Sequence, residues 1–275
     1  MKKFTVTQNT TLKSFTDSTY PQGSFAFNSL IKKGDIKVNG VKQKSDCPVY
    51  IGDEIVYYTT PTQEAKASHL TILEDENVYV ADKASGVTSE GLFFELQAKA
   101  PYPVHRLDRN TSGLIVLAKT PAVQERLVEA FKNREVEKVY LCLAKNAFKK
   151  PKAELCAYLS KDEKTSLVRI YPTPNSGRVK ILTDYEVIKT YGDYALVKVI
   201  LHTGKTHQIR AHLSYIGCPV LGDTKYGDFA LNKKYSATRQ ILVAKYLKFN
   251  LSGSLAYLNE VRLESSFVPK LPKDN

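Results

Sequence analysis

Short apolar segments along the chain predict strands. Residues 78–81 and 114–118 are continuously hydrophobic and are bounded by charged or turn-forming residues, which is typical of strands buried on both faces. Residues 136–144 predict a further strand. Residues 194–201 carry an apolar side chain at every second position, a spacing that indicates a strand with one buried face.

Two helices are predicted between these strands. Thr120 can act as an N-cap, and Pro121 follows at the first helical position, where proline is tolerated. A second helix is predicted over residues 207–216, with Ile209 and two further apolar residues on one stripe and Gly217 as its end. Strands and helices do not alternate regularly. The pattern therefore favours an α+β fold, in which a mixed, largely antiparallel central sheet is covered by helices, over a doubly wound or barrel topology.

The first 58 residues predict a small α+β domain. A short helix-like stretch over residues 24–33 precedes a strand at 36–40, which ends in an Asn-Gly turn, and a second strand is predicted at 54–58. Residues 59–69 are polar, aperiodic and interrupted by a proline, as linkers often are. We therefore predict a domain over residues 1–58, a linker over 59–69 and a larger domain over 70–275.

The chain is strongly basic, with a net charge of +12 at pH 7. Such a surface attracts polyanions, and nucleic acid is the commonest polyanion in a cytosol. A protein that binds a membrane surface or an acidic protein would also carry a positive charge. No apolar run has the length of a membrane span or of a signal-peptide core, so we expect a cytoplasmic protein with no membrane association. The four cysteines form no C-x-x-C pair, which predicts buried, reduced thiols.

Three polar clusters adjoin the apolar strands. Residues 105–113 combine one histidine, two arginines and one aspartate just before a buried strand, where catalytic groups often lie; a solvated turn is the alternative. Residues 202–212 hold three histidines, but their spacing of five residues does not suit a zinc site. The Gly-Lys-Thr at 204–206 is not a P-loop, because the first glycine of that motif would fall at position 199, which is valine. The alternative that His207 and His212 only cap and pack the helix stays open.

The third cluster, residues 131–152, interleaves seven cations with Tyr140 and Phe148, which suits RNA phosphates and stacked bases.

Taken in order, these clusters resemble the RluA-type family of pseudouridine synthases. The resemblance covers about residues 70–250. Five motifs carry it: His105-Arg106-Leu107-Asp108 with Thr111-Ser112-Gly113-Leu114, Lys138-x-Tyr140, residues 203–210 (TGKTHQIR), Gly222-Asp223-x-x-Tyr226-Gly227, and Arg239-Gln240-x-Leu242. Residues 1–58 resemble an S4-type RNA-binding domain through residues 34–40 and 52–55. No Lys or Arg occurs between Lys13 and Lys32, where such domains present arginines, so we expect the fold to be kept with a weakened RNA contact.

The resemblance implies isomerisation of uridine to pseudouridine in RNA without a cofactor. No metal is expected either, because no Cys or carboxylate cluster completes a ligand shell around the histidines. Asp108 is then the nucleophile, which either attacks the ribose or assists departure of the base. Arg210 is its cationic partner, and Tyr140 stacks on or borders the uracil with its hydroxyl available for a proton at C5. The substrate-binding side chains expected from the same motifs are Arg106, which would fill the vacated base stack, Ile209, which would form an apolar wall, and His105, Lys138 and Thr111.

The expected partner is RNA. The family modifies large-subunit ribosomal RNA and transfer RNA, and the S4-like segment favours ribosomal RNA. The alternative is a non-catalytic RNA-binding or ribosome-assembly protein that uses the same fold as a platform. We expect a monomer, since the protein has to contact a folded RNA.

Overall fold

The computed structural model describes residues 1–19, 27–58, 67–162 and 167–272. The strands are β1 (Lys2–Thr5), β2 (Thr10–Thr11), β3 (Ile36–Val38), β4 (Val41–Lys42), β5 (Pro48–Val49), β6 (Glu54–Tyr57), β7 (His69–Glu74), β8 (Val78–Lys83), β9 (Tyr102–Pro103), β10 (Ser112–Ala118), β11 (Val136–Lys145), β12 (Lys152–Lys161), β13 (Val168–Tyr171), β14 (Val179–Tyr191), β15 (Tyr194–Leu201), β16 (Leu242–Phe249) and β17 (Leu263–Glu264). The helices are α1 (Leu12–Thr19), α2 (Phe27–Lys33), α3 (Ser89–Leu96), α4 (Pro121–Lys132), α5 (Gln208–Tyr215) and α6 (Phe229–Lys234), with a 3-10 helix at Gly253–Glu260.

The chain forms two compact units. The first holds Met1–Asn110 and Ile115–Gln124, and the second holds Thr111–Leu114 and Glu125–Asn275. These units follow the packing of the chain rather than the division at residues 58 and 70 that we predict from sequence, so that division stays a prediction. Residues 59–66 of the predicted linker lie outside the described residues.

The first unit begins with a four-stranded antiparallel sheet in the order β1-β6-β3-β4. Asn39 and Gly40 join β3 to β4 with φ angles of 48° and 79°, which is the left-handed geometry that makes Asn-Gly a hairpin turn. The buried core of this segment is small and includes Leu12, Leu30, Ile36, Ile55 and Tyr57. Later in the same unit, every residue of β8 is buried, as predicted for a strand covered on both faces.

The second unit is built on a sheet with the strand order β13-β12-β14-β15-β11-β16-β10. Neighbours from β13 to β16 pair antiparallel, whereas β10 joins β16 in parallel through Ser112 and Gly113. The predicted mixed, largely antiparallel sheet is therefore confirmed. Along β15 burial alternates, with Ala195 and Leu201 among the buried residues, as the period of two predicts.

Gly113 allows β10 to approach β16 closely. Its φ is +113°, and a Cβ added there would lie 2.6 Å from the backbone nitrogen and 2.8 Å from the carbonyl carbon of Ala244. Real Cβ atoms do not approach backbone atoms this closely. The parallel pairing that follows the Asp108 segment therefore depends on a glycine at this position.

Helix α5 differs from the prediction in its burial. It begins at Gln208 because His207 has a φ of +53°, outside the helical region. Its first six residues are all buried, whereas the sequence predicted a single apolar stripe. The predicted stripe covers only part of the buried surface of α5, because the polar side chains between its apolar residues are also buried and have polar partners. Gly217, at a φ of +82°, follows the helix end as predicted.

The thiols only partly follow the prediction. Cys142 and Cys218 are buried, Cys47 is half-buried and Cys156 is exposed, and all four are free. The prediction of a buried thiol is wrong for Cys156 because β12 alternates between exposed and partly buried positions there. Among the described helices, none combines the length and the hydropathy that crossing a membrane requires.

Candidate active site

The backbone immediately before Asp108 is held by a buried serine. The hydroxyl of Ser89, the first residue of α3, donates to the carbonyl oxygen of Leu107 at 2.8 Å and accepts from the Leu107 amide at 3.0 Å. Both residues are buried. These two hydrogen bonds to Leu107 fix the backbone direction of the residue that precedes Asp108.

The backbone immediately after Asp108 is held equally closely. The carbonyl oxygen of Arg109 accepts from Lys83 Nζ at 3.1 Å and from the Gly86 amide at 2.8 Å. The next carbonyl, that of Asn110, accepts from the Ser85 hydroxyl at 2.9 Å. Asp108 itself is half-buried. The arrangement presents a carboxylate on a backbone that is anchored on both sides, which is how catalytic groups are preorganised.

Lys83 is a buried lysine whose charge interacts with that of Asp108. Its ammonium also donates to the carbonyl oxygens of Val87 at 2.8 Å and Ala84 at 3.3 Å. Burial lowers the pKa of Lys83 to about 7, and the negative charge of Asp108 opposes that shift. Sequence reasoning did not assign this residue a role. The available signal was that Lys83 directly continues the apolar run 78–81 through Asp82. Charged residues in such a position are rarely fully buried unless they are paired.

The other side chains of the His-Arg-Leu-Asp motif have distinct settings. The Val116 amide donates to Nε2 of His105 at 3.1 Å, so that nitrogen carries a lone pair. Arg106 is exposed and pairs with Glu90 at 2.9 Å. An exposed ion pair of this kind contributes little to stability, so little holds Arg106 in this position. In the second unit, the Thr111 hydroxyl accepts from Nε2 of Gln240 at 2.8 Å.

The second unit contributes a buried arginine with a carboxylate partner. Arg210 donates to Asp223 from Nε at 2.7 Å and from Nη2 at 2.9 Å, and both side chains are almost completely buried. The amides of Lys225 and Tyr226 also donate to Asp223. Burial raises the pKa of Asp223, but the Arg210 hydrogen bonds and charge, together with the two amides, outweigh it and lower the pKa.

Tyr226 completes the support of Arg210. The Arg210 guanidinium carbon lies 5.2 Å from the centre of the Tyr226 ring, within the range of a cation-π contact. The Tyr226 hydroxyl accepts from the Val168 amide at 3.0 Å and forms a hydrogen bond with His207 Nδ1 at 2.9 Å. Two residues of the Gly-Asp-x-x-Tyr-Gly motif, Asp223 and Tyr226, therefore contact Arg210. Sequence reasoning missed this partnership because it joined Arg210 only to Asp108.

The remaining polar residues of α5 are structural. Gln208 donates to the Leu182 carbonyl and the Thr183 hydroxyl, both at 3.0 Å. His212 is buried against Thr183, and burial lowers its pKa to about 4, so it is neutral at neutral pH. The packing alternative for His212 is therefore correct. Within the ranges that the structure describes, no group of three or more His, Cys, Asp or Glu side chains could hold a metal ion.

Tyr140, Lys138 and Ile209 are all buried. Tyr140 lies on β11 between Val199 and Ala244, next to a register shift in the pairing with β16. The Lys138 ammonium lies 5.6 Å from the centre of the Phe131 ring, and burial, followed by the charge of Arg134, lowers its pKa. The roles of these three residues in substrate binding stay predictions.

A family model described as RNA pseudouridylate synthase matches residues 61–215, which is more than half of the chain. The chain belongs to this family. An uncharacterized RNA pseudouridine synthase of Chlorobaculum parvum is 31% identical over 80% of each protein. Ribosomal large subunit pseudouridine synthase C of Vibrio parahaemolyticus is 30% identical over 72% of this chain and 70% of its own length.

A solved structure resembles the fold as well. Human RNA Pseudouridylate Synthase Domain Containing 1 superposes with a TM-score of 0.61 and 25% identity, covering 75% of this chain and 86% of that protein. The resemblance to RluA-type pseudouridine synthases that the motifs indicate is thereby confirmed, and the observed sheet is that of a pseudouridine synthase domain.

Proposed function

We propose that this chain is an RNA pseudouridine synthase of RluA type that isomerises uridine in large-subunit ribosomal RNA. Family membership supports the reaction, and the name of the Vibrio relative supports the class of RNA. The net charge of +12 supports an RNA partner, because Lys and Arg side chains neutralise phosphates.

The anchored backbone around Asp108 is the observation that carries the proposal. Isomerisation breaks the bond between N1 of uracil and the ribose, turns the base, and forms a bond from C5 to the same ribose carbon. A proton leaves C5 and one is gained at N1, so the atoms balance without an oxidant or a cofactor. What the reaction requires is an ionised nucleophile held at a fixed position beside a flipped base. Hydrogen bonds at Leu107, Arg109 and Asn110 supply that fixed position.

Arg210 is the permanent cation of the proposed site. A guanidinium has five N–H donors, so the bidentate pair with Asp223 is compatible with a further contact to the nucleophile or the substrate. Tyr140 is proposed to border the uracil and to handle the C5 proton through its hydroxyl. The substrate-binding roles expected from the motifs are proposed for Arg106, His105, Ile209, Lys138 and Thr111.

The test is the isosteric variant Asp108→Asn, which keeps the shape of the side chain and removes its charge. We expect it to bind unmodified large-subunit ribosomal RNA as the unaltered protein does, and to form no pseudouridine when the RNA is mapped by chemical labelling. Asp184→Asn is the matched control, because Asp184 is also partly exposed and its partner is His202, at 2.7 Å. The control should modify RNA normally.

Three results would contradict the proposal in whole or in part. Normal turnover by Asp108→Asn would remove the nucleophile assignment. RNA binding without any pseudouridine from the unaltered protein would favour the non-catalytic RNA-binding or assembly protein. Modification of transfer RNA instead of ribosomal RNA would keep the reaction and change its target.

A further inference from the structure

A groove of about 630 Å³ lies within the first unit, beside the segment that leads to Asp108. One wall comes from the N-terminal segment and includes Gln8 and Lys13. The opposite wall includes Phe94 of α3 and Arg106. We call this space the α1–α3 groove. It is separate from the residues to which the family motifs assign the chemistry, except that Arg106 borders it.

The two walls are tied together by direct hydrogen bonds. Arg109 Nη2 donates to Asp17 Oδ1 at 2.7 Å, and the Thr88 hydroxyl donates to the Asp17 carbonyl oxygen at 2.9 Å. Asp17 and Arg109 are both mostly buried. An ion pair of this kind, supported by a second bond to the same residue, holds α1 against the segment that carries the nucleophile. The groove is therefore a built feature of the unit.

The lining of the groove suits a nucleotide. Three cations border it, namely Lys13, Arg106 and Arg109, against the two carboxylates of Asp17 and Glu90, and most of the other lining side chains are hydroxyl-bearing. Phe94 lines the groove and exposes 43% of its surface, so its ring is accessible to a ligand there. Cations can contact phosphates while an aromatic ring stacks on a base, and this combination is how proteins bind single-stranded nucleic acid.

The position of the groove decides which nucleotides it would hold. Arg106 and Leu107 border it and directly precede Asp108 in the chain. Its volume lies within the roughly 300–1,000 Å³ of typical ligand pockets, which suits about one or two nucleotides of a single strand. We propose that the α1–α3 groove binds the RNA nucleotides that flank the reacting uridine. This inference rests on the proposed function.

The groove also gives the N-terminal segment a way to contact RNA. Between Lys13 and Lys32 the sequence has no basic residue, so the contact expected for an S4-type domain would be weak there. Lys13 and Gln8 are exposed on the groove side instead. The N-terminal segment thus contributes to substrate binding through Lys13 at the start of α1 and Gln8 before β2.

The first test compares Lys13→Gln with Lys3→Gln. Both lysines are exposed and pair with a carboxylate, Lys13 with Asp17 at 2.8 Å and Lys3 with Glu54 at 3.2 Å. Of the two, Lys13 lines the groove. Binding to unmodified large-subunit ribosomal RNA is measured across a range of salt concentrations. Lys13→Gln should reduce the slope of log K against log salt by about 0.7, the value for one phosphate contact on a single strand, and Lys3→Gln should leave it nearly unchanged.

The second test compares Phe94→Ala with Tyr50→Ala, since both rings are exposed in the first unit and Tyr50 does not line the groove. Loss of one stacked base should weaken RNA binding about tenfold for Phe94→Ala. The rate of pseudouridine formation at saturating RNA should stay at the level of the unaltered protein for the two controls, Lys3→Gln and Tyr50→Ala. Thermal unfolding midpoints verify that each variant is folded.

The outcomes separate this inference from the proposed function. If the unaltered protein forms pseudouridine, and Lys13→Gln and Phe94→Ala bind RNA as their controls do, the groove inference is overturned and the enzyme remains. If no pseudouridine forms but these two variants selectively lose RNA affinity, the groove is supported as an RNA site and the proposed enzymatic function fails.

Discussion

Replacing Gly113 by alanine tests how much the close approach of β10 to β16 stabilises the second unit. The substitution adds a single methyl group at a residue whose φ is +113°. That methyl group would meet the backbone nitrogen of Ala244 at 2.6 Å. Because the obstructing atoms are backbone, a side-chain rotation cannot relieve the overlap, and the parallel strands have to separate.

The expected cost has two parts. A positive φ at a non-glycine residue costs about 1–3 kcal/mol, and forcing an extra methyl group into a packed region costs about 1–3 kcal/mol more. Reduced flexibility of the unfolded chain returns about 0.4–1 kcal/mol. We therefore expect Gly113→Ala to lower the free energy of unfolding by about 3 kcal/mol.

Gly192→Ala is the matched control. Gly192 also has a positive φ, +71°, but a Cβ there meets nothing within 4 Å, so the substitution should cost about 1 kcal/mol from backbone strain alone. Urea unfolding of both variants measures the difference, and the Gly113 variant should also form pseudouridine more slowly. Equal destabilisation by the two substitutions would show that the close approach to Ala244 contributes nothing.

The remaining predictions concern buried ionisable groups in the second unit. Asp223→Asn leaves Arg210 buried without its carboxylate and should cost about 3–5 kcal/mol in urea unfolding, whereas the double variant Asp223→Asn/Arg210→Met should recover part of that loss; no recovery would contradict the pairing. Because the folded pKa of Asp223 is lowered, its stabilisation is present above its unfolded pKa and is lost as the pH falls through the folded value. His212 has a folded pKa of about 4, below its unfolded value of about 6.5, so acidification between these values favours the unfolded state. Unfolding free energy should therefore fall by about 2 kcal/mol from this residue between pH 7.5 and pH 5, and His212→Gln should show a correspondingly smaller pH dependence.

Much of this protein is determined by its sequence alone. Hydrophobic runs located β8 and β10, alternation located β15, and the Asn-Gly pair located a hairpin turn, because these signals depend on neighbouring residues within one element. The motif order indicated the family, since each motif keeps its residue types at fixed spacing. The net charge indicated a polyanionic partner, because it depends only on the amino-acid composition.

The partners of the buried polar groups were decided by the tertiary structure. Arg210 pairs with Asp223 thirteen residues away, and Lys83 reaches the carbonyl of Arg109 across 26 residues. Gln208 and His212 lie on the side of α5 that the sequence pattern predicts to be polar. They are buried there because Thr183 of β14 supplies their hydrogen-bond partner. A sequence states which side chains can donate, accept or carry charge. Which of them meet depends on how distant strands pack, because a buried polar group is stable only where the fold supplies its partner.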